Sequence, residues 1–237
     1  FDKPALISET FPENRTPIQL LEIAAKNILK NNGIPIPKSL VTDVNAIKKD
    51  PDLLKQIDYP LVLKGVGAGH KTESGLVFLN VQSVDDLMTK IDEIKSKTSQ
   101  ILIEEMLKPN IMELLVGVIK DETGLFAMTL SPGGILSELH AKISENKKTL
   151  ILPTTKEIVE DSLKSLPLSP LFEGYRGLSK ANLEKTIEVV MKISLLIENS
   201  TLNISELEIE AKQMMGKVLI ITNKNAYAAD ALIEINT

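Results

Sequence analysis

No cysteine occurs in these 237 residues, which excludes disulfides, thiolate metal sites and a cysteine nucleophile. Tryptophan is missing as well, and with only five Phe and three Tyr the core has to be built from aliphatic side chains. No apolar run approaches the roughly 20 residues that span a bilayer, so no membrane partner is expected. There is no basic excess: a net charge of −5 without clustered Lys or Arg argues against nucleic acid and against an anionic lipid surface. What remains is the composition of a globular protein, 43% apolar and 25% charged, in a chain long enough for one large domain or two lobes. The lack of cysteine fits a cytoplasmic location. The first residue is Phe rather than Met, and a processed piece or a module of a longer polypeptide is expected.

The most informative segment runs from Tyr59 to Phe78. An apolar run, Leu61 to Leu63, delivers Lys64 into a loop containing Gly65, Gly67 and Gly69, followed by His70, Lys71 and Gly75. Glycines let a backbone approach oxyanions and leave N–H groups free to cradle them. A lysine at a strand end adds a point charge for phosphate, and a histidine there can accept a proton or a phosphoryl group. The combination points to nucleotide phosphate chemistry, although a glycine-rich hairpin also serves simply to turn a chain. The loop is neither a Walker-type P-loop nor a dinucleotide fingerprint, because a strand rather than a helix is expected after it.

Residues 1–15 read as a linker. Thr16-Pro-Ile-Gln19 reads as a helix start, with a capping threonine, proline at the first helical position and glutamine three residues after the cap. Leu20, Leu21, Ala24, Ala25 and Ile28 would form the apolar face of that helix, and Asn31-Asn-Gly33 would end it. A short strand near Leu40 and a helix over 44–56 follow. Ser83 caps a helix to about Lys97 whose apolar positions are Leu87, Ile91 and Ile94. Strands are predicted at 101–106, 113–120, 124–130 and 135–140, helices at 154–165 and 179–198, and closing strands at 206–213, 217–222 and 226–235. This gives a smaller mixed lobe over 16–100 and a larger one over 101–237, with a ligand cleft expected between them.

Taken in order, these segments resemble the ATP-grasp module of ADP-forming (NDP-forming) acyl-CoA synthetases, relatives of succinyl-CoA ligase. The resemblance covers about Thr16 to Ile235. It rests on Gly33-Ile-Pro-Ile-Pro37, Tyr59-Pro-Leu-Val-Leu-Lys64, His70-Lys-Thr-Glu-Ser-Gly75, Ile103-Glu-Glu-Met106, Glu113-Leu-Leu-Val-Gly117, Gly133-Gly134 with Glu138, Leu171-Phe-Glu-Gly-Tyr-Arg-Gly177 and Ala229-Asp-Ala231. Each is weak alone and the ordered set is strong. It implies an α+β ATP-grasp fold of two lobes with a nucleotide in the cleft.

The resemblance also implies roles. Lys64 would hold nucleotide phosphates, and Glu104, Glu105 and Met106 would form the adenine hinge. Glu113 would face the ribose, and Gly133 and Gly134 would form a second glycine turn near the phosphates. His70 would relay the phosphoryl group as a phosphohistidine. Mg²⁺ would be held by Asp230. The family's Asn-Pro pair is absent, and Glu206-Leu-Glu-Ile-Glu210 stands in its place, leaving Glu208 or Glu210 as further oxygen ligands. ATP or ADP and Mg²⁺ are therefore the expected cofactors. CoA would be bound by a separate CoA-binding, acyl-transfer domain or subunit, and a carboxylic acid would be the substrate. The alternatives are a non-catalytic nucleotide-binding module, for which the missing Asn-Pro speaks, and an ATP-grasp ligase that joins a carboxylate to an amine.

Overall fold

A computed structural model describes residues 18–66, 76–133, 146–200, 204–209 and 219–235. Two antiparallel sheets organise these residues. The smaller has the order β2 (Ser39–Asp43), β5 (Gln100–Glu105), β3 (Leu61–Gly65), β4 (Val77–Val81). Strand alternation sends Leu61 and Leu63 of β3 and Ile101 and Ile103 of β5 to one face. There they pack with Val44 and Ile47 of helix α2 (Val44–Lys49) and with Leu87, Ile91 and Ile94 of α3 (Val84–Ile94). Ser83 caps α3 as predicted, its Oγ accepting the N–H of Asp86 at 3.1 Å while Asp86 Oδ2 accepts that of Gln82 at 3.0 Å.

The larger sheet is built on β6 (Met112–Lys120), whose Met112, Leu114, Val116 and Val118 alternate into the second core. Strand β7 (Phe126–Pro132) pairs along one edge of β6, and β8 (Lys148–Ile151) pairs with β7. The other edge of β6 takes two strands end to end. Strand β9 (Ile204–Ile209) pairs with residues 116–119 and β10 (Leu219–Ile221) with residues 112–114. Ile209, the last residue of β9, lies opposite Val116, and Leu219, the first of β10, opposite Leu114. Strands β11 (Ala226–Ala228), β12 (Leu232–Ile235) and β1 (Ile18–Gln19) complete the sheet. The core side is covered by α1 (Glu22–Asn31), α4 (Lys156–Lys164), α5 (Pro170–Glu173) and α6 (Leu183–Asn199).

Several expectations are corrected. Ile18–Gln19 is a strand paired with β12, not a first helical turn, and α1 begins at Glu22. Leu21, expected on its apolar face, is exposed, and the buried face is Glu22, Ala25, Lys26 and Leu29. The helix over 44–56 stops at Lys49 because Pro51 lacks the N–H to continue it, and a 3₁₀ turn spans Pro51–Gln56. The last strand is two, separated by Ala229-Asp230-Ala231. Strand β8 and the short α5 were not predicted.

The lobes do not divide at residue 100. Strand β5 belongs to the small sheet, whereas β1 and α1 belong to the large one. From Ile18 the chain thus runs in the larger lobe, crosses to the smaller near Lys38 and returns after Met106. The strand predicted at 135–140 lies outside the described residues. No helix among the described residues is long and apolar enough to cross a membrane.

Candidate active site

Alternation on β3 and β5 puts Leu61, Leu63, Ile101 and Ile103 on the small core and turns Val62, Lys64, Leu102 and Glu104 to the opposite face. That face meets the larger lobe, and it carries charge. Lys64 Nζ lies 2.7 Å from Glu22 Oε1 and 2.9 Å from Glu104 Oε2, and donates to the carbonyl of Ala229 at 3.2 Å. Lys26 Nζ binds both oxygens of Glu104, at 2.6 and 2.8 Å, and reaches Glu22 Oε1 at 3.0 Å. All four side chains are buried. Burial alone would depress the Lys64 ammonium, but Glu104, Glu22 and Asp230 outweigh it and hold its pKa well above the usual lysine range.

Two cations and two anions are in direct contact in this cluster, which is the condition under which buried charge is tolerated, and Asp230 adds a further negative charge near Lys64. Each lobe supplies one of each sign. Glu22 and Lys26 come from α1, whose Ala25 and Leu29 sit in the larger core, and Lys64 and Glu104 come from the small sheet. The 229–231 break between β11 and β12 closes over it, with Asp230 Oδ1 accepting the N–H of Ala231 at 2.8 Å.

Of the residues singled out from the sequence, Lys64, Glu104 and Asp230 come together here. Glu105 lies aside, its Oε1 accepting the N–H of Lys38 at 2.9 Å. The N–H groups of Glu105 and Met106 are committed to the carbonyls of Lys38 and Pro60, at 3.0 and 2.8 Å, so the hinge backbone is tied to the flanking chain at both positions. A groove of about 510 Å³ runs beside this segment, lined by Tyr59, Met106 and Lys108 on one side and Thr222, Lys224 and Tyr227 on the other. Glu113 Oε1 accepts from Asn110 Nδ2 at 2.5 Å, and its carbonyl accepts the N–H of Gly133 at 2.8 Å, which ties the expected ribose residue to the second glycine turn. Glu208 is paired through its backbone with Leu232 and Gly117, two residues along from Asp230. His70, Gly134 and Glu210, together with Glu138, lie outside the described residues.

Glu22 and Lys26 were missed from the sequence. The signal was present: a Glu and a Lys spaced i, i+4 on the same helix face as Ala25 and Leu29. Such a pair is ordinarily solvated, and here Lys64 and Glu104 across the lobe boundary supply opposite charges that allow its burial.

A family model described as an ATP-grasp domain matches residues 13–235. The chain belongs to the ATP-grasp domain family. Among curated relatives, the acetate–CoA ligase [ADP-forming] II subunit beta of Pyrococcus furiosus is 26% identical over 215 residues, covering 86% of this chain and 87% of that one. Two solved structures share the ATP-grasp fold. One, a protein of Pyrococcus horikoshii, superposes with a TM-score of 0.75 at 23% identity, over 92% of this chain and 91% of the other. The second is a dinucleotide-forming acetyl-coenzyme A synthetase 1 of Ca. Korarchaeum cryptofilum, solved with coenzyme A and Mg-AMPPCP and with its phosphohistidine segment pointing towards the nucleotide binding site. It superposes with a TM-score of 0.74 at 22% identity, over 92% of each chain.

Proposed function

We propose that this chain is the ATP-grasp module of an ADP-forming acyl-CoA synthetase. The complete enzyme interconverts acyl-CoA, ADP and phosphate with a carboxylic acid, CoA and ATP. The observation that carries the reading is the convergence of Lys64, Glu104 and Asp230 at the junction of the lobes, with His70 six residues after Lys64 in sequence. The match to an ADP-forming ligase subunit along most of its length supports it.

Lys64 holds the nucleotide phosphates by charge, and the acceptors that now surround its ammonium give way to phosphate oxygens when nucleotide binds. Glu105 and Met106 line the groove that takes the base, Glu104 supports Lys64, and Glu113 faces the ribose. His70 takes the phosphoryl group. An imidazole nitrogen attacks the terminal phosphorus of ATP, the bond to ADP breaks, and the ring gives up the proton on its other nitrogen, leaving a neutral phosphoimidazole that keeps the group until it is passed on. In the reverse direction ADP receives it.

The donor set suits a hard cation. Asp230 is a carboxylate beside the phosphate-holding lysine, and Glu208 or Glu210 adds oxygen donors. Mg²⁺ takes one or two protein carboxylates and fills its shell with phosphate oxygens and water. When bound, it neutralises charge on the phosphates. CoA and the acyl group are handled by a separate domain or subunit, in the cytoplasm.

A second reading, nucleotide binding without transfer, is favoured by Glu206-Leu-Glu-Ile-Glu210 standing where the family has Asn-Pro. One experiment separates the two. The full-length protein is incubated with Mg²⁺ and γ-labelled ATP, with and without its CoA-binding partner, as wild type and as His70→Ala. Acid-labile, base-stable label that disappears in His70→Ala supports the relay. ATP binding without any label supports the second reading.

A further inference from the structure

The charge cluster contains two residues that none of these roles uses. Glu22 and Lys26 lie on α1, a helix anchored in the larger core, yet their charged ends reach residues of the smaller lobe. Their geometry is asymmetric. Glu22 Oε1 is nearer to Lys64, at 2.7 Å, than to Lys26, at 3.0 Å. Lys26 favours Glu104, gripping both of its oxygens at 2.6 and 2.8 Å. The Lys64 ammonium is meanwhile engaged by Glu22, Glu104 and the carbonyl of Ala229.

We propose that Lys26 and Glu22 are a pair of opposed positioning residues that set how readily Lys64 transfers from the buried carboxylates to a nucleotide phosphate. This rests on the reading of Lys64 as the phosphate-holding residue. A lysine bound to two buried carboxylates cannot leave them at no cost, because each would be stranded without a counterion. Lys26 removes that obstacle. It already touches both Glu104 and Glu22, so neither carboxylate is bare when Lys64 turns to phosphate. Glu22 acts in the opposite sense. It is the nearest anion to Lys64 and holds the ammonium inside the lobe boundary while the site is free of nucleotide. The lobes are clamped by the same contacts, so nucleotide binding and loosening of this inter-lobe clamp are one event.

The inference is tested in the full-length protein by titrating Mg²⁺–ATP into wild type, Lys26→Met, Lys26→Arg, Glu22→Gln and Lys26→Met/Glu22→Gln. Thermal melting is recorded for each. Lys26→Met is expected to weaken ATP binding by at least about tenfold, the scale of one hydrogen bond to a charged group, and Lys26→Arg to restore most of it. Glu22→Gln is expected to bind ATP more tightly than wild type despite a lower melting temperature. Added to Lys26→Met, it should recover part of the lost affinity. A merely structural role would make every variant weaker in step with its melting temperature, and that result overturns the proposal. So does wild-type affinity in Lys26→Met. If Lys26→Met does not fold, Glu22→Gln decides alone: tighter binding supports the inference and unchanged or weaker binding overturns it. Failure of the wild-type protein to bind ATP overturns the nucleotide reading and the inference with it, and is thereby distinguished from failure of the inference alone.

Discussion

Lys26 Nζ binds both carboxylate oxygens of Glu104, at 2.6 and 2.8 Å, across 78 residues of sequence and across the boundary between the two lobes. Neither apolar core reaches this point, since Leu102 and Val62 on the same face belong to neither. The lobes are joined here by charge. Balanced buried charge specifies a geometry more than it adds stability, because desolvation offsets most of the attraction. Removing one member has no such compensation.

Lys64→Met is therefore expected to lower folding stability by about 3–5 kcal/mol, the cost of leaving a buried carboxylate unpaired. Two anions would then share Lys26. Urea unfolding of wild type and variant measures it. Adding Glu22→Gln should return part of the loss, since it restores the balance of one cation to one anion. A second loss on top of the first would mean that packing around the methylene stem, rather than charge, dominates the site.

A smaller charge network lies beyond the C-terminal end of α1. Glu188 on α6 accepts from Lys185 at 2.6 Å and from Lys192 at 2.7 Å, and Lys192 also donates to the carbonyl of Gly33 at 2.9 Å. The hydrogen bonds from Lys185 and Lys192 lower the Glu188 pKa to about 2. A carboxylate held lower in the folded state than its unfolded value near 4.3 stabilises the fold above that value. The contribution is lost as pH falls from there through about 2. The group is solvent-accessible, so the effect is on the order of 0.2–1 kcal/mol per pair. The stability difference between wild type and Glu188→Gln should be constant from pH 7 to about 5, shrink below that, and vanish near pH 2. A difference that grows towards acid would reverse the assigned sign.

Elements set by local chemistry were legible in the sequence, and those set by distant partners were not. The period-two run of β6 and the Ser83 cap announce themselves within a few residues. So does the Gly33 turn at positive φ, where the N–H of Ile34 returns to the carbonyl of Leu29 at 3.0 Å. Helix α1 differs from its sequence reading in its start and at Leu21, while Leu20, Ala25 and Ile28 pack on the larger core as expected. Leu21 looks like a core residue, and Glu22 and Lys26 look like surface, until Lys64 and Glu104 are brought beside them. The membership of β5 failed for the same reason, because its partners Ser39–Asp43 and Leu61–Gly65 are fixed by sheet pairing that no window of sequence contains. At the site, chemistry-bearing residues could be named from the ordered motifs, but the neutralising pair could not, since it carries no motif of its own.

Gly65, immediately after Lys64, is held tightly at the end of β3. A Cβ there would lie 3.1 Å from Thr98 Cγ2, 3.2 Å from Leu76 Cβ and 3.3 Å from Leu76 Cδ2. Thr98 cannot yield freely, because its hydroxyl donates to the carbonyl of Val66 at 2.9 Å. Leu76 is buried, and its carbonyl accepts the Gly65 N–H at 2.8 Å. Gly65→Ala is expected to cost about 1–3 kcal/mol by overpacking and to weaken ATP binding through displacement of Lys64. Urea unfolding and ATP titration on the same variant check both. Wild-type stability would show that the Leu76 side of the hairpin shifts at no cost.

Asp230 offers a test of the metal assignment that does not depend on turnover. It sits in the break between β11 and β12, beside the Ala229 carbonyl that accepts from Lys64. Its negative charge helps to hold the Lys64 ammonium protonated. Asp230→Asn keeps the side-chain size and the oxygen that accepts the Ala231 N–H and removes only the charge. If the carboxylate is a Mg²⁺ ligand, ATP affinity measured with Mg²⁺ should fall by more than about tenfold, the loss seen even for residues that only orient a ligand. Affinity measured in chelator should hold or improve, because one anion fewer faces the phosphates. Calorimetric titration of ATP with and without Mg²⁺ into wild type and variant gives both numbers. A parallel fall under the two conditions would place Asp230 in the support of Lys64 rather than on the metal, and would shift the ligand role to Glu208 or Glu210.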